Sequence, residues 1–255
     1  MPLEIIQLSA LSDNYIYILH NADTQQTAVI DPSEADPVRQ YVASRGWNID
    51  YILNTHHHFD HTDGNKALKA QYECEIIGYG PDAERIAGIT RMVHDEDRIT
   101  VCASEARVMF VPGHTRGHIA FYFAHEKALF CGDTMFLMGC GRLFEGTAEQ
   151  MYDSLQKFAS LPDDTNVYCA HEYTLSNARF ALSIEPENSD LKQRMKNIQD
   201  VRNQNQSTVP ALLAVEKQTN PFLRVDSPEI RSNLNMQHAN NIAVFAEIRK
   251  LKDHF

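Results

Sequence analysis

The sequence predicts an α/β protein, with layered mixed structure over residues 1–172 and a smaller helical region over residues 173–255. Three observations predict it. Short apolar runs bounded by turn residues recur up to about residue 172, helical patterns lie between them, and beyond Tyr173 the periodicity turns helical. With 255 residues and 43% hydrophobic content, the chain can bury a sizeable core, as one large domain or one domain with an appendage.

In chain order, strands are expected at Tyr15–Leu19, Ala28–Ile30, Tyr51–Leu53, Arg107–Val111, Ile119–Phe123, Ala128–Cys131 and Val167–Ala170. Helices are expected at Pro37–Arg45, Gly64–Tyr72 and Ala148–Ala159. Trp47, just after the first of these, reads as packing. After Tyr173, the spacing of Leu191, Met195, Ile198 and Val201 aligns them on one helix face, and Phe245, Ile248 and Leu251 repeat that behaviour within Asn240–Lys252. No internal repeat and no low-complexity segment interrupts the chain.

Charge and cysteine content exclude several function classes. A formal net charge of −11 offers no general attraction for nucleic acid or an anionic membrane, so any anionic ligand needs a local basic pocket. The five cysteines, Cys74, Cys102, Cys131, Cys140 and Cys169, are dispersed and never form C-x-x-C. They argue for a reducing compartment rather than a disulfide framework or a cysteine zinc site. The N-terminal MPLEIIQLSALSDNY lacks the basic and long apolar regions of a signal peptide, and no segment approaches a membrane span. A cytoplasmic monomer is expected, with neither nucleic acid nor membrane as partner.

The stretch THHHFDHTDG follows the predicted strand at Tyr51–Leu53 and carries four histidines within six residues. If the chain leaves the strand still extended, His56 and His58 point the same way while His57 faces elsewhere. Asp60 and His61 follow where the chain turns toward a helix, which makes a second metal position feasible. Any one of these histidines is most simply a solvated loop residue, with Asp63 capping the helix; four together are not. His114, Asp133 and His171 each follow another predicted strand, at the edge where open α/β sheets gather their sites. Singly they read as loop, turn-capping or core residues, and as a set they read as metal ligands.

These motifs resemble the metallo-β-lactamase superfamily, and within it the hydroxyacylglutathione hydrolase (glyoxalase II) branch. The likeness runs through SDNYIYIL, THHHFDHTDG, VPGHTRGHI, FCGDTMFLMGCGRLFEGT, YCAHEYT, TVPALLAVEKQTNPFLRV and RKLKDHF. It implies an αββα sandwich followed by a helical domain that completes a glutathione pocket. It implies one metal on His56, His58 and His114, a second on Asp60, His61 and His171, and Asp133 bridging both. His57 and His118 match positions that are not ligands. Arg142, Tyr173, Arg249 and Lys252 match substrate-binding positions, although Arg249 and Lys252 also suit a solvated last helical turn. Some members carry Lys and Tyr where this chain has Arg142 and Phe144, and Phe144 has no hydroxyl to donate.

Imidazole plus carboxylate suits zinc, iron or manganese, and residue types alone do not choose among them; two divalent metals per chain are expected, zinc first. Two metals about 3.5–4 Å apart can share a water and lower its pKa from about 15.7 to roughly 7. Asp60 and Asp133 are then the catalytic carboxylates, Asp133 holding the metal spacing and Asp60 accepting from the nucleophile. A glutathione thioester such as S-lactoylglutathione suits this centre, because a thiol of pKa about 8.5 leaves with little help from an acid. The alternatives are a one-iron persulfide dioxygenase, a nuclease or phosphodiesterase, and a non-catalytic metal-binding module. The glycines Gly139, Gly141 and Gly146 have the wrong spacing for a phosphate loop and read as tight turns beside the site.

Overall fold

The chain opens with a hairpin in which Glu4–Ala10 (β1) pairs antiparallel with Asn14–Asn21 (β2) along seven residue pairs. Every residue of β2 is buried, as expected for a strand covered on both faces. The computed structural model describes residues 3–255, in two compact units. One runs to Phe110 and resumes over Gly117–Gly132; the other comprises Val111–Arg116 and Asp133–Phe255.

In the first unit Gln26–Ile30 (β3) pairs antiparallel with β2. The helix Ala35–Arg45 (α1) then crosses over to Tyr51–Leu53 (β4), which runs parallel to β3. Phe59–Thr62 (α2) and Asn65–Tyr72 (α3) lead to Glu75–Tyr79 (β5) and Arg91–Val93 (β6), both parallel additions. The sheet order is β1-β2-β3-β4-β5-β6. Val38 and Val42, one helical turn apart on α1, pack with Ile16, Ile18, Val29, Ile52 and Leu68 into a continuous core. The crossover has a functional consequence. It makes β3 and β4 parallel, so their carboxyl ends, Ile30 and Leu53, lie in register at one edge. Arg98–Val101 (β7), Ser104–Phe110 (β8), Ile119–Phe123 (β9) and Ala128–Gly132 (β10) form an antiparallel meander in the same unit.

The second unit holds a two-residue-loop hairpin, Met135–Phe136 (β11) with Gly139–Cys140 (β12). Ala148–Ala159 (α4) starts at a reciprocal cap between Thr147 and Gln150, which contributes about 1 kcal/mol. Asn166–Cys169 (β13), Thr174–Ile184 (α5), Ser189–Asn203 (α6), Ala211–Leu212 (β14), Leu213–Thr219 (α7), Pro228–Asn233 (α8) and Asn241–Asp253 (α9) complete it. Leu191 and Ile198 of α6 pack on Ala178, Ala181 and Met138, with Met195 beside them, as the spacing of the three predicts.

All five cysteines are free thiols and buried; burial pushes the Cys102 and Cys169 thiols up to about 12 and Cys140 to about 11, which makes them poor nucleophiles. No helix among the described residues is long and apolar enough to cross a membrane.

Trp47 packs as expected, and its partner is His20. The two rings stack with centroids 3.7 Å apart and an interplanar angle of 8°, while Nδ1 of His20 lies 3.0 Å from the Thr27 hydroxyl. Desolvation lowers the His20 pKa from 6.5. The unfolded chain therefore takes up this proton first, and stability falls as pH drops below 6.5 toward the folded-state value. Trp47 is the single tryptophan. Its fluorescence in the native protein should titrate with a midpoint below 6.5, and His20→Gln should remove the step; a midpoint at or above 6.5 would contradict a desolvated stack.

Candidate metal centre

Parallel pairing brings Asp31 and the THHH stretch together in the first unit. Asp31 follows β3 directly, at a left-handed φ of 49°, and its N–H donates to Leu53 O at 3.0 Å. Aspartate tolerates that conformation better than most residues. Its carboxylate, 3% exposed, accepts from the Thr55 N–H at 2.8 Å and the Thr55 hydroxyl at 2.6 Å. Oδ2 also lies 3.0 Å from Nδ1 of His61. A carboxylate behind a ring nitrogen fixes the tautomer and aims the other nitrogen outward, as in many metal-ligating histidines. Nε2 of His61 lies 3.6 Å from Oδ2 of Asp60.

The alternation expected from extended backbone is present. His56 Nε2 approaches His58 Nδ1 to 3.0 Å. His57 instead turns to Asp82, with Nδ1 3.4 Å from Oδ2, and to Arg85, which also pairs with Asp82. His118 is fully buried, its ring stacked on His56 with centroids 4.6 Å apart. Gly132 admits this stack: at φ 50°, a Cβ there would come within 2.4 Å of the Thr55 hydroxyl and 2.8 Å of His118. His57 is thus drawn away from the converging pair, while His118 packs against it. Asp63 makes no side-chain cap to α3, whose N-cap is Gly64. Asn14 donates to the Asp60 carbonyl at 3.0 Å and to Oδ2 at 3.2 Å, which steadies a partly buried carboxylate on the short helix α2.

In the second unit, Asp133 has one carboxylate oxygen toward each of two imidazoles. His114 Nε2 lies 3.4 Å from Oδ2, and His171 Nε2 lies 3.4 Å from Oδ1. All three side chains are buried. His114 Nδ1 is 2.9 Å from the carbonyl of Arg142, so its Nε2 is the nitrogen left to face outward. His171 stacks on Tyr173 at 4.8 Å with a 2° interplanar angle, and Phe136 sets its ring edge against both. Gly141 is required for close approach, since a Cβ there would lie 2.0 Å from the Asp133 carbonyl and 3.0 Å from His114. The donors fit divalent metals by chemistry: imidazole nitrogens turned one way by partners behind them, and a carboxylate flanked on both oxygens.

The cations expected to meet an anionic ligand also lie in the second unit. Lys252 is half-buried, 3.3 Å from the Ser176 hydroxyl, with its ammonium over the rings of Phe180 and Phe255. Burial, aided by Arg249 and Arg142, lowers its pKa to about 8. Arg249 is buried, donating to the Cys140 carbonyl at 2.7 Å and pairing with Asp253 at 3.0 Å over the ring of Phe222. Arg142 is largely exposed, 3.9 Å from Asp253, and Phe144 is exposed with its ring against His114. Sequence reading missed Asp31, Asn14 and Asp82. Asp31 had an available signal, because it too follows a predicted strand.

Residues 11–171 match the metallo-β-lactamase superfamily, and residues 172–255 match the family described as hydroxyacylglutathione hydrolase C-terminus. The chain is 52% identical over 253 residues to a hydroxyacylglutathione hydrolase of Rhodospirillum rubrum, and 49% identical over 253 residues to one of Methylococcus capsulatus; each alignment covers 99% of both chains. The crystal structure of ETHE1 from Myxococcus xanthus aligns with a TM-score of 0.68 at 24% identity, covering 98% of each chain. The fold class is therefore the metallo-β-lactamase αββα sandwich followed by a helical C-terminal domain. The chain belongs to the hydroxyacylglutathione hydrolase family of the metallo-β-lactamase superfamily.

Proposed function

We infer that the protein hydrolyses the thioester of S-(2-hydroxyacyl)glutathione, such as S-lactoylglutathione, to a 2-hydroxy acid and glutathione. The observation that carries this reading is Asp133, buried with one oxygen toward His114 and the other toward His171, in a chain about half identical to named hydroxyacylglutathione hydrolases. On the family resemblance, His56, His58 and His114 would hold one divalent metal, Asp60, His61 and His171 a second, and Asp133 would serve both. The metals we propose are zinc, with iron or manganese as alternatives that these donors also accept. When bound, such metals supply Lewis acidity and acidify a coordinated water.

The protein groups then have distinct tasks. Asp60, steadied by Asn14, accepts a hydrogen bond from the attacking water, and Asp133 holds the spacing. Lys252 and Arg142 bind glutathione carboxylates, and Tyr173 lines the same place. Arg249 adds its positive charge from within, since its guanidinium already donates to Cys140. The leaving thiolate needs no dedicated acid, its conjugate thiol having a pKa of about 8.5. The division at residues 172/173 leaves all seven metal ligands before it and Tyr173, Arg249 and Lys252 after it, with Arg142 meeting glutathione from the metal-binding side. The buried free thiols suit a reducing compartment such as the cytoplasm, where we propose the protein works as a monomer.

Purified protein should hydrolyse S-lactoylglutathione, followed through thioester absorbance, with close to two metals per chain. Asp133→Asn should lower metal content and cut kcat/KM about 100-fold or more; retention of both would overturn the bridging role. Asp31→Ala should weaken metal binding about 10–100-fold by freeing the His61 ring, measured by chelator competition. Lys252 is charged below its pKa of about 8 and neutral above it. Its contribution to kcat/KM should therefore fade as pH rises through that value. Lys252→Met should abolish the step and lower kcat/KM about 10–100-fold at neutral pH, and an unchanged profile would remove Lys252 from the binding site.

A further inference from the structure

The segment VEKQTNPFLRV, which helps mark the branch, contains no expected ligand, yet its polar side chains are among the most deeply buried in the protein. Glu216, Asn220 and Thr219 are 0%, 0% and 1% exposed. Burying a carboxylate is costly unless it is paired and fully hydrogen-bonded. Glu216 meets both conditions: Arg194 of α6 pairs with one oxygen and also donates to Thr219, while the second oxygen accepts the Met138 N–H at 2.8 Å and the Asn220 amide at 3.0 Å.

The target of this network is the β11–β12 hairpin. Asn220 Nδ2 reaches the carbonyls of Phe136 at 3.2 Å and Gly139 at 3.1 Å, and Asn177 Nδ2 donates to the carbonyl of Leu137 at 3.1 Å. Four consecutive residues, Phe136 to Gly139, thus each give a backbone group to a buried side chain. The hairpin needs such support. Met138 sits at a left-handed φ of 54°, a conformation that costs an unbranched side chain of order 1–3 kcal/mol unless its surroundings impose it. Its side chain is fully buried against α5 and α6.

This hairpin and the residues flanking it touch all three of the unit's expected ligands. Asp133 enters it, and Gly141 at its exit lies against the Asp133 carbonyl. Arg142, next in sequence, supplies the carbonyl that orients His114. Phe136 presses on His171 and Tyr173. The outgoing strand gives the Cys140 carbonyl to Arg249. We propose that Glu216, with Asn220, is a positioning residue that fixes the β11–β12 hairpin and thereby sets Asp133, His114 and His171 for metal binding. This rests on the ligand assignment above.

Two variants separate positioning from folding. In Arg194→Met/Glu216→Leu the buried ion pair is replaced by apolar side chains, a change that commonly preserves folding, but Met138 loses its acceptor. In Asn220→Ala the ion pair stays and two hairpin carbonyls lose their donor. In both, zinc affinity of folded protein, measured by chelator competition, should fall about 10–100-fold, and kcat should fall with it. Arg194→Met/Glu216→Gln, which keeps an oxygen for Met138, should recover much of the affinity. Lower thermal stability with wild-type zinc affinity in the folded variants would overturn the proposal, leaving Glu216 a packing element. The zinc measurement does not depend on substrate, so failure of the wild type to cleave S-lactoylglutathione would count against the functional reading alone.

Discussion

Imidazole and carboxylate groups can be gathered in a buried place only if each is held from behind, because uncompensated burial of either is strongly unfavourable. That constraint organises this protein. Asp31 stands behind His61, Thr55 beside His56, His118 against the His56 ring, and the Arg142 carbonyl behind His114. In each case the supporting atom occupies one ring nitrogen or one ring face and leaves the other nitrogen directed. The seven expected ligands are thus the visible part of a larger set, and the supports account for residues that a motif reading leaves idle. His57 illustrates this: lying between two converging histidines, it would crowd them if it followed the same direction, and Asp82 with Arg85 draws it to the opposite side.

The same logic scales from single rings to chain segments. Parallel pairing of β3 with β4 is what places Asp31 beside Thr55, so the sheet's change from antiparallel to parallel is a functional choice made by α1. In the other unit a buried ion pair, Arg194 with Glu216, does for a hairpin what Asp31 does for an imidazole. Such a pair adds little stability compared with well-packed apolar groups, so its value lies in fixing one arrangement. The reading is consistent with the geometry: Glu216 spends one oxygen on neutralisation and the other on a backbone N–H in an unfavourable conformation.

How much of this was legible in the sequence follows from range. Continuous apolar runs such as Ile119–Phe123 and Ala128–Cys131 announce buried strands, and all seven expected strands are present with small shifts at their ends. The strand Glu4–Ala10 escaped notice because most of its residues are only partly buried, and β6, β11, β12 and β14 are too short to show a period. His56 and His58 were readable because a period of two needs only local backbone. Asp31 is 24 residues from Thr55, and Glu216 is 78 residues from Met138. No local pattern carries such pairings, although strand-end position could have flagged Asp31.

An acidic chain that takes an anionic thioester must concentrate its positive charge, and the way it does so bears on specificity. Arg249 commits its two terminal nitrogens to Cys140 and Asp253, so from its buried position it acts mainly through its field. Lys252 holds its ammonium over two phenylalanine rings and near the Ser176 hydroxyl, its pKa lowered to about 8 by burial and by Arg249 and Arg142. Arg142 and Arg249 both lie against the single carboxylate of Asp253, and the positive charge that remains beside Lys252 favours an incoming carboxylate. A neutral thioester would gain nothing from that charge. If these three residues meet the substrate as proposed, selectivity for a glutathione thioester over an uncharged one should follow from their electrostatics.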